Sequence, residues 1–216
     1  MKGIIGKKIG MTQVFDNESG VVTPVTVIEA GPCPVVMVKT VESDGYEAVQ
    51  LAFEPVAERK ISKPEIGHLK KSGVEPHRHL VEFRGRSELV VGESVTVGAF
   101  EPGDSIKVAG VGIGKGFAGT IKRHKFHRGP KSHGSHNIRK PGSIGASATP
   151  SRVFKGIRMA GRLGGKRVTQ VGLKVHEIDP EHNLLLVRGA VPGAKNSIVE
   201  IREEKAHTRH HHHRGD

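Results

Sequence analysis

Four histidines, His124, His127, His133 and His136, are spaced H-x2-H-x5-H-x2-H, a pattern that could gather imidazoles around a metal ion. Their surroundings argue otherwise. Lys122, Arg123, Lys125, Arg128 and Lys131 are interleaved with them and would repel a cation, and Pro130 interrupts any helix that would align the rings. Hydrogen bonding or stacking on nucleic acid suits these histidines better, and no metal is expected. Just upstream, Gly114-Lys115-Gly116-Phe117-Ala118-Gly119 matches the dinucleotide-binding pattern G-x-G-x-x-G. That fold also needs a carboxylate about 20 residues later for the ribose hydroxyls. None comes before Glu177. The glycines are better read as bare backbone that can approach a phosphate–sugar surface closely. No Ser-His-Asp set, P-loop lysine or carboxylate pair stands in this region, so catalysis has no candidate residues and no cofactor is expected.

The absence of acids is itself the strongest signal. The chain has 216 residues, 34 Lys+Arg and 22 Asp+Glu, a net charge of +12. Residues 105–176 carry sixteen of the bases and no acid, leaving 18 bases and 22 acids, a net of −4, on the rest. A merely solvated face would carry compensating carboxylates. This distribution points to a polyanion, and the bases that would meet it include Lys115, Lys122, Arg123, Lys125, Arg128, Lys131, Arg139, Lys140, Arg152, Lys155, Arg158, Arg162, Lys166 and Arg167. Arg152, Lys155, Arg158 and Arg162 recur every three or four residues and could line one side of an extended or helical strip. With aromatics at 4% and no Trp, a stacking platform for single-stranded bases is disfavoured.

The single cysteine, Cys33, excludes an intramolecular disulfide. Lys7 and Lys8 fall where a signal peptide needs apolar residues, and the stretch Val21 to Val38 holds Glu29 and three prolines, which makes it a poor membrane span. A soluble intracellular protein is expected.

Elements must hold this basic segment. Val21–Ile28, Val35–Thr40, Tyr46–Phe53, Leu89–Val97, Ser105–Val108, Arg167–Ile178, Leu184–Val187 and Ser197–Ile201 read as strands. The polar run Asp16–Gly20 reads as the turn of an N-terminal hairpin. Apolar spacing predicts short helices at Pro64–Lys71 and Glu75–Phe83. Two strand-rich flanks without long helices predict a mainly β fold closed into a small barrel, because closure removes exposed sheet edges. The expected division is a body of residues 1–109 and 166–205 with a helical elaboration at about 60–85, a basic extension at 110–165 with no core of its own, and a flexible tail at 206–216. Three readings stay open on these grounds: a structural RNA-binding protein, a free nucleic-acid-binding protein such as a DNA-compacting factor or RNA chaperone, and an RNA-modifying enzyme with a barrel domain, against which the missing carboxylate constellation counts.

Longer motifs narrow the choice. Gly6-Lys7-Lys8-Ile9-Gly10-Met11-Thr12, Gly67-His68-Leu69-Lys70-Lys71-Ser72-Gly73-Val74, Gly116-Phe117-Ala118-Gly119-Thr120, Pro141-Gly142-Ser143-Ile144-Gly145, Arg152-Val153-Phe154-Lys155-Gly156 and Gly189-Ala190-Val191-Pro192-Gly193 resemble the bacterial large-subunit ribosomal protein L-three family, in register from about residue 1 to 201. The resemblance implies a six-stranded barrel of the translation-factor type and an extension that penetrates large-subunit (23S) ribosomal RNA. It implies early action in subunit assembly, cytoplasmic ribosomes as the location, and L-fourteen and L-nineteen as neighbours of a protein that is monomeric within the particle. His124, His133, His136 and Ser143 join the bases in the expected RNA-contacting set, and the resemblance places Ser143, Ile144, Gly145, Ala146, Ser147, Ala148 and Thr149 at a tip near the peptidyl transferase centre. Ala148 stands where many members carry a methylated glutamine, so that modification is not expected. Val111-Gly112-Ile113 replaces a Thr-Ser-Lys common at the root, and His124 replaces a tryptophan.

Overall fold

A computed structural model of the chain describes residues 2–16 and 20–204. The tail at 206–216 and the central residues of the Asp16–Gly20 turn lie outside them. In chain order the elements are β1 (Gly3–Phe15), β2 (Val22–Ala30), β3 (Cys33–Lys39), α1 (Val41–Asp44), β4 (Ala48–Pro55), α2 (Lys63–Lys71), β5 (His77–Arg84), β6 (Ser94–Val95), β7 (Ser105–Val111), β8 (Phe117–Ala118), α3 (Thr120–His124), β9 (Gly161–Arg162), β10 (Arg167–Asp179), β11 (Leu184–Arg188) and β12 (Ile198–Glu203). They fall into two compact units, one of residues up to Val111 and from Arg167 onward, the other Gly112–Lys166.

In the first unit, β1, β12, β7, β10, β11 and β2 close into an antiparallel barrel in that order. The mainly β class and the closed barrel anticipated from the strand pattern are both present. Alternation makes the interior. Val199 and Ile201 of β12 are fully buried while Glu200 between them faces outward to Arg167, and Ile4 lies opposite Ile201 across the ladder. Ile106, Val108, Val175, Leu185 and Val187 complete this core. Register shifts at Lys8/Gly10, Gln170/Leu173 and Val175/Glu177 mark bulges that bend long strands around the closure.

A second sheet, ordered β5-β4-β3-β6, packs in the same unit. Its Phe83 ring lies directly on Gly3, where a Cβ would sit 2.6 Å from the ring, so β1 needs a bare backbone there. On its other face Leu69 of α2 packs with Val36 and Ala52. The α2 start is fixed by Ser62 and Glu65, whose carboxylate accepts from the Ser62 backbone N–H at 3.2 Å and hydroxyl at 2.7 Å. Helix α2 matches the first predicted helix. The second, Glu75–Phe83, is overturned: from His77 onward these residues lie in β5, paired with β4 from His77 to Arg84. Leu80, Val81 and Phe83 fit a helical spacing as well as a strand's, and the ladder to β4 decides between them. The strand expected over Leu89–Val97 shrinks to Ser94–Val95.

Cys33 is buried, and burial pushes its thiol up to about 12, opposed only partly by hydrogen bonds with the Ile5 and Gly31 backbones. It stays a protonated apolar filler at neutral pH. Among the described residues no helix is long and apolar enough to cross a membrane.

Candidate nucleic-acid interface

The unit Gly112–Lys166 is built almost without a core. Only Ala118 and Thr120 are buried in it. What holds its two ends side by side is backbone pairing. Gly112 N–H donates to Lys166 O at 2.9 Å, Gly165 N–H to Gly112 O at 3.0 Å, Lys115 N–H to Leu163 O at 2.9 Å and Leu163 N–H to Gly116 O at 2.9 Å. Beyond these, Phe117 pairs with Arg162 and Ala118 with Gly161 in the β8–β9 ribbon. Gly164 makes this closeness possible: its φ is +71° and a Cβ would collide with the Ile113 carbonyl. Helix α3 follows and stops at Lys125, which takes a left-handed conformation.

A backbone carbonyl then ties α3 to the returning chain. Arg123 Nη1 donates to Met159 O at 2.7 Å, and His124 Nε2 lies 3.0 Å from the same oxygen. The guanidinium fits there because Gly161 has no side chain to block it. Of the bases named from sequence, Arg123 is thus half-buried and engaged inside the segment, as is the His124 ring. Arg167 lies outside this unit, in β10, and its Nη2 is ion-paired with Glu200.

The other bases stand free. Lys115, Lys122, Lys125, Arg128, Lys131, Arg139, Lys140, Arg152, Lys155, Arg158, Arg162 and Lys166 are all exposed, and among the described residues none of them forms an ion pair. His127, His133, His136 and Ser143 are exposed as well. The segment from 126 to 160 contains no helix, and Arg152, Lys155 and Arg158 lie on an irregular path with a turn at Lys155–Gly156 rather than on a helical face. Residues Ser143–Thr149 are exposed throughout, with the Ser143 hydroxyl donating to Gly145 O at 2.9 Å and Ser151 Oγ to Ala148 O. Among the described residues no group of three or more His, Cys, Asp or Glu side chains gathers as a metal cage would require.

Two rings escaped the reading from sequence. Phe117 is 81% exposed and Phe154 is 52% exposed, with the Arg152 guanidinium 5.5 Å from the centre of the Phe154 ring. Their low number hid them, since aromatic content averages over the whole chain. The usable signal was position: Phe117, Phe126 and Phe154 all fall in the acid-free segment.

Unpaired cations on a coreless, backbone-zipped segment make a surface that lowers its own electrostatic energy only against an anionic partner. Known proteins resemble the chain along most of its length. The family model for Ribosomal protein L3 matches residues 86–183. The chain is 56% identical over 203 residues to the large ribosomal subunit protein uL3 of Clavibacter michiganensis subsp. michiganensis (strain NCPPB 382), covering 93% of each. It is 55% identical over 205 residues to uL3 of Acidothermus cellulolyticus, covering 94% of this chain and 92% of that one. Against uL3 of Prochlorococcus marinus (strain NATL1A) the identity is 53% over 205 residues, with 94% of each covered.

Proposed function

The chain belongs to the ribosomal protein L3 family, and from that premise we propose that it is a structural constituent of the large ribosomal subunit that binds 23S ribosomal RNA. In this reading it works in the cytoplasm, as a monomer within the particle. The barrel body is the self-folding part, and the 110–165 extension is the part that enters the RNA. One observation carries the proposal: the segment Gly112–Lys166 contains thirteen Lys/Arg, no acid, and no ion pair among the described residues. Such a segment is a poor ligand for anything but a dense array of phosphates. The finer assignments extend the same reading. The protein joins the subunit early, has L-fourteen and L-nineteen as neighbours, and directs Ser143–Thr149 toward the peptidyl transferase centre. There it braces RNA and performs no chemistry of its own.

Sucrose-gradient sedimentation of a cell lysate tests this. The protein is expected to track the large subunit at moderate salt and to leave it only at high salt. Recovery with DNA, or in the supernatant at moderate salt, would instead favour a free nucleic-acid-binding protein or RNA chaperone.

A further inference from the structure

We propose that Phe117 is a stacking site for an unpaired base of the RNA that the extension binds. The inference rests on the proposed function and deepens it, because it names what part of the RNA is recognised apart from its phosphates.

Four observations converge on this ring. It is the most exposed large apolar side chain among the described residues, at 81%. It is displayed on a fixed support, since its strand neighbour Ala118 is buried and the flanking backbone is pinned by the Lys115–Leu163 and Leu163–Gly116 hydrogen bonds. Side chains of one strand alternate in direction, so the ring points away from the side on which Ala118 is covered. Finally, its directly opposed partner in the ribbon is Arg162, an exposed cation without an ion pair among the described residues. Opposed residues of an antiparallel pair share a face, so the ring and a free guanidinium stem rise from the same side.

An exposed ring in this setting fits few partners. No acid lies between Asp104 and Glu177, and Lys115, Lys122 and Arg162 are close in sequence or register, so the partner must be anionic around an apolar spot. A nucleic acid combines those properties: phosphates at intervals and flat π-faces between them. In a duplex those faces are already stacked and only base edges are open, so the ring needs a base that is unpaired or turned out. Phe154 differs, because the Arg152 guanidinium already lies over its ring. Phe117 has no such partner among the described ring contacts, which leaves its faces available.

The chain contains no Trp, so Phe117→Trp makes a single-tryptophan reporter at this position. The probes are deproteinised large-subunit ribosomal RNA and a fully paired RNA duplex of random sequence. The expected result is quenching of the tryptophan emission by the ribosomal RNA and little quenching by the duplex. Phe117→Ala should lose about 5- to 150-fold in affinity for the ribosomal RNA at fixed salt. Phe117→Trp should retain affinity, and the dependence of log K on log salt should be the same for all variants, because no cation is removed. Wild-type affinity in the Ala variant, or equal quenching by the duplex, would overturn the assignment. So would emission that shifts only on adding ribosomal proteins, which would make the ring a protein contact. A parent chain that fails to bind ribosomal RNA at all would instead overturn the function on which the inference rests. Unchanged thermal melting of the body in the Ala variant shows that the fold is intact.

Discussion

Arg123 and Lys122 carry the same charge side by side, yet Lys122 is exposed while Arg123 is half-buried and already donates one guanidinium N–H inside the segment. Arg123 is committed to the Met159 carbonyl, with His124 on the same oxygen, so this pair shapes the extension from within. Removing such a half-exposed bond costs roughly 0.5–1.5 kcal/mol, a change of roughly twofold to thirteenfold in local opening. Arg123→Ala should therefore raise the rate of limited proteolysis within residues 112–166 of the free protein by about that factor. Melting of the body should not move. A faster cut in the body, or no change in the extension, would mean that the bond to Met159 does not hold the segment. This residue also marks a limit of sequence reading. A run of bases is visible in a sequence, whereas a backbone carbonyl that captures one of them has no side-chain signature.

At the scale of elements, the second sheet is held across its middle strand by a polar cluster. Lys39 of β3 donates to Glu82 of β5 at 2.7 Å and to the Tyr46 hydroxyl at 2.7 Å, with β4 lying between the two strands. The hydrogen bond from Lys39 holds the Glu82 carboxyl below its ordinary range, helped by Tyr46 and opposed by burial. The same partners raise the Lys39 ammonium. A depressed carboxylate contributes stability that is fully present above the unfolded-state value of about 4.3 and is lost as pH falls through the folded one. The lysine's share is present below its unfolded value of about 10.4 and is lost only in stronger alkali. Glu82→Gln should accordingly lower the melting temperature near neutrality and make its fall from about pH 6 to about pH 3 shallower than in the parent. An acid limb as steep as the parent's would show that other carboxylates govern it. Most strands were legible because their apolar residues alternate, as in Arg167–Asp179 and Ile198–Glu203. The helix misassigned to Glu75–Phe83 shows why legibility ends. Leu80, Val81 and Phe83 satisfy either period, and the ladder partner that decides the matter lies some thirty residues upstream in β4.

For the whole molecule, the net charge of +12 is an average over two unlike parts. The body has nearly balanced charges around a closed apolar barrel. The Gly112–Lys166 unit has two buried residues and thirteen bases, and its charge has no counterpart within it. In the sequence the acids stop at Asp104 and resume at Glu177, and the expected division rests on that gap. It could not show the barrel order β1-β12-β7-β10-β11-β2, which joins the first and last strands by long-range pairing that no local pattern encodes. If the free bases of the extension neutralise RNA phosphates, each one adds to the salt dependence of binding. Affinity of the full chain for large-subunit ribosomal RNA should fall linearly on a log–log plot against salt, by roughly 0.7–0.9 in slope for each phosphate neutralised. Substituting Arg152, Lys155 and Arg158 together with Ala should reduce that slope by about 2–3 while leaving the melting of the body unchanged. A slope equal to the parent's in this triple variant would show that these three bases do not meet phosphates.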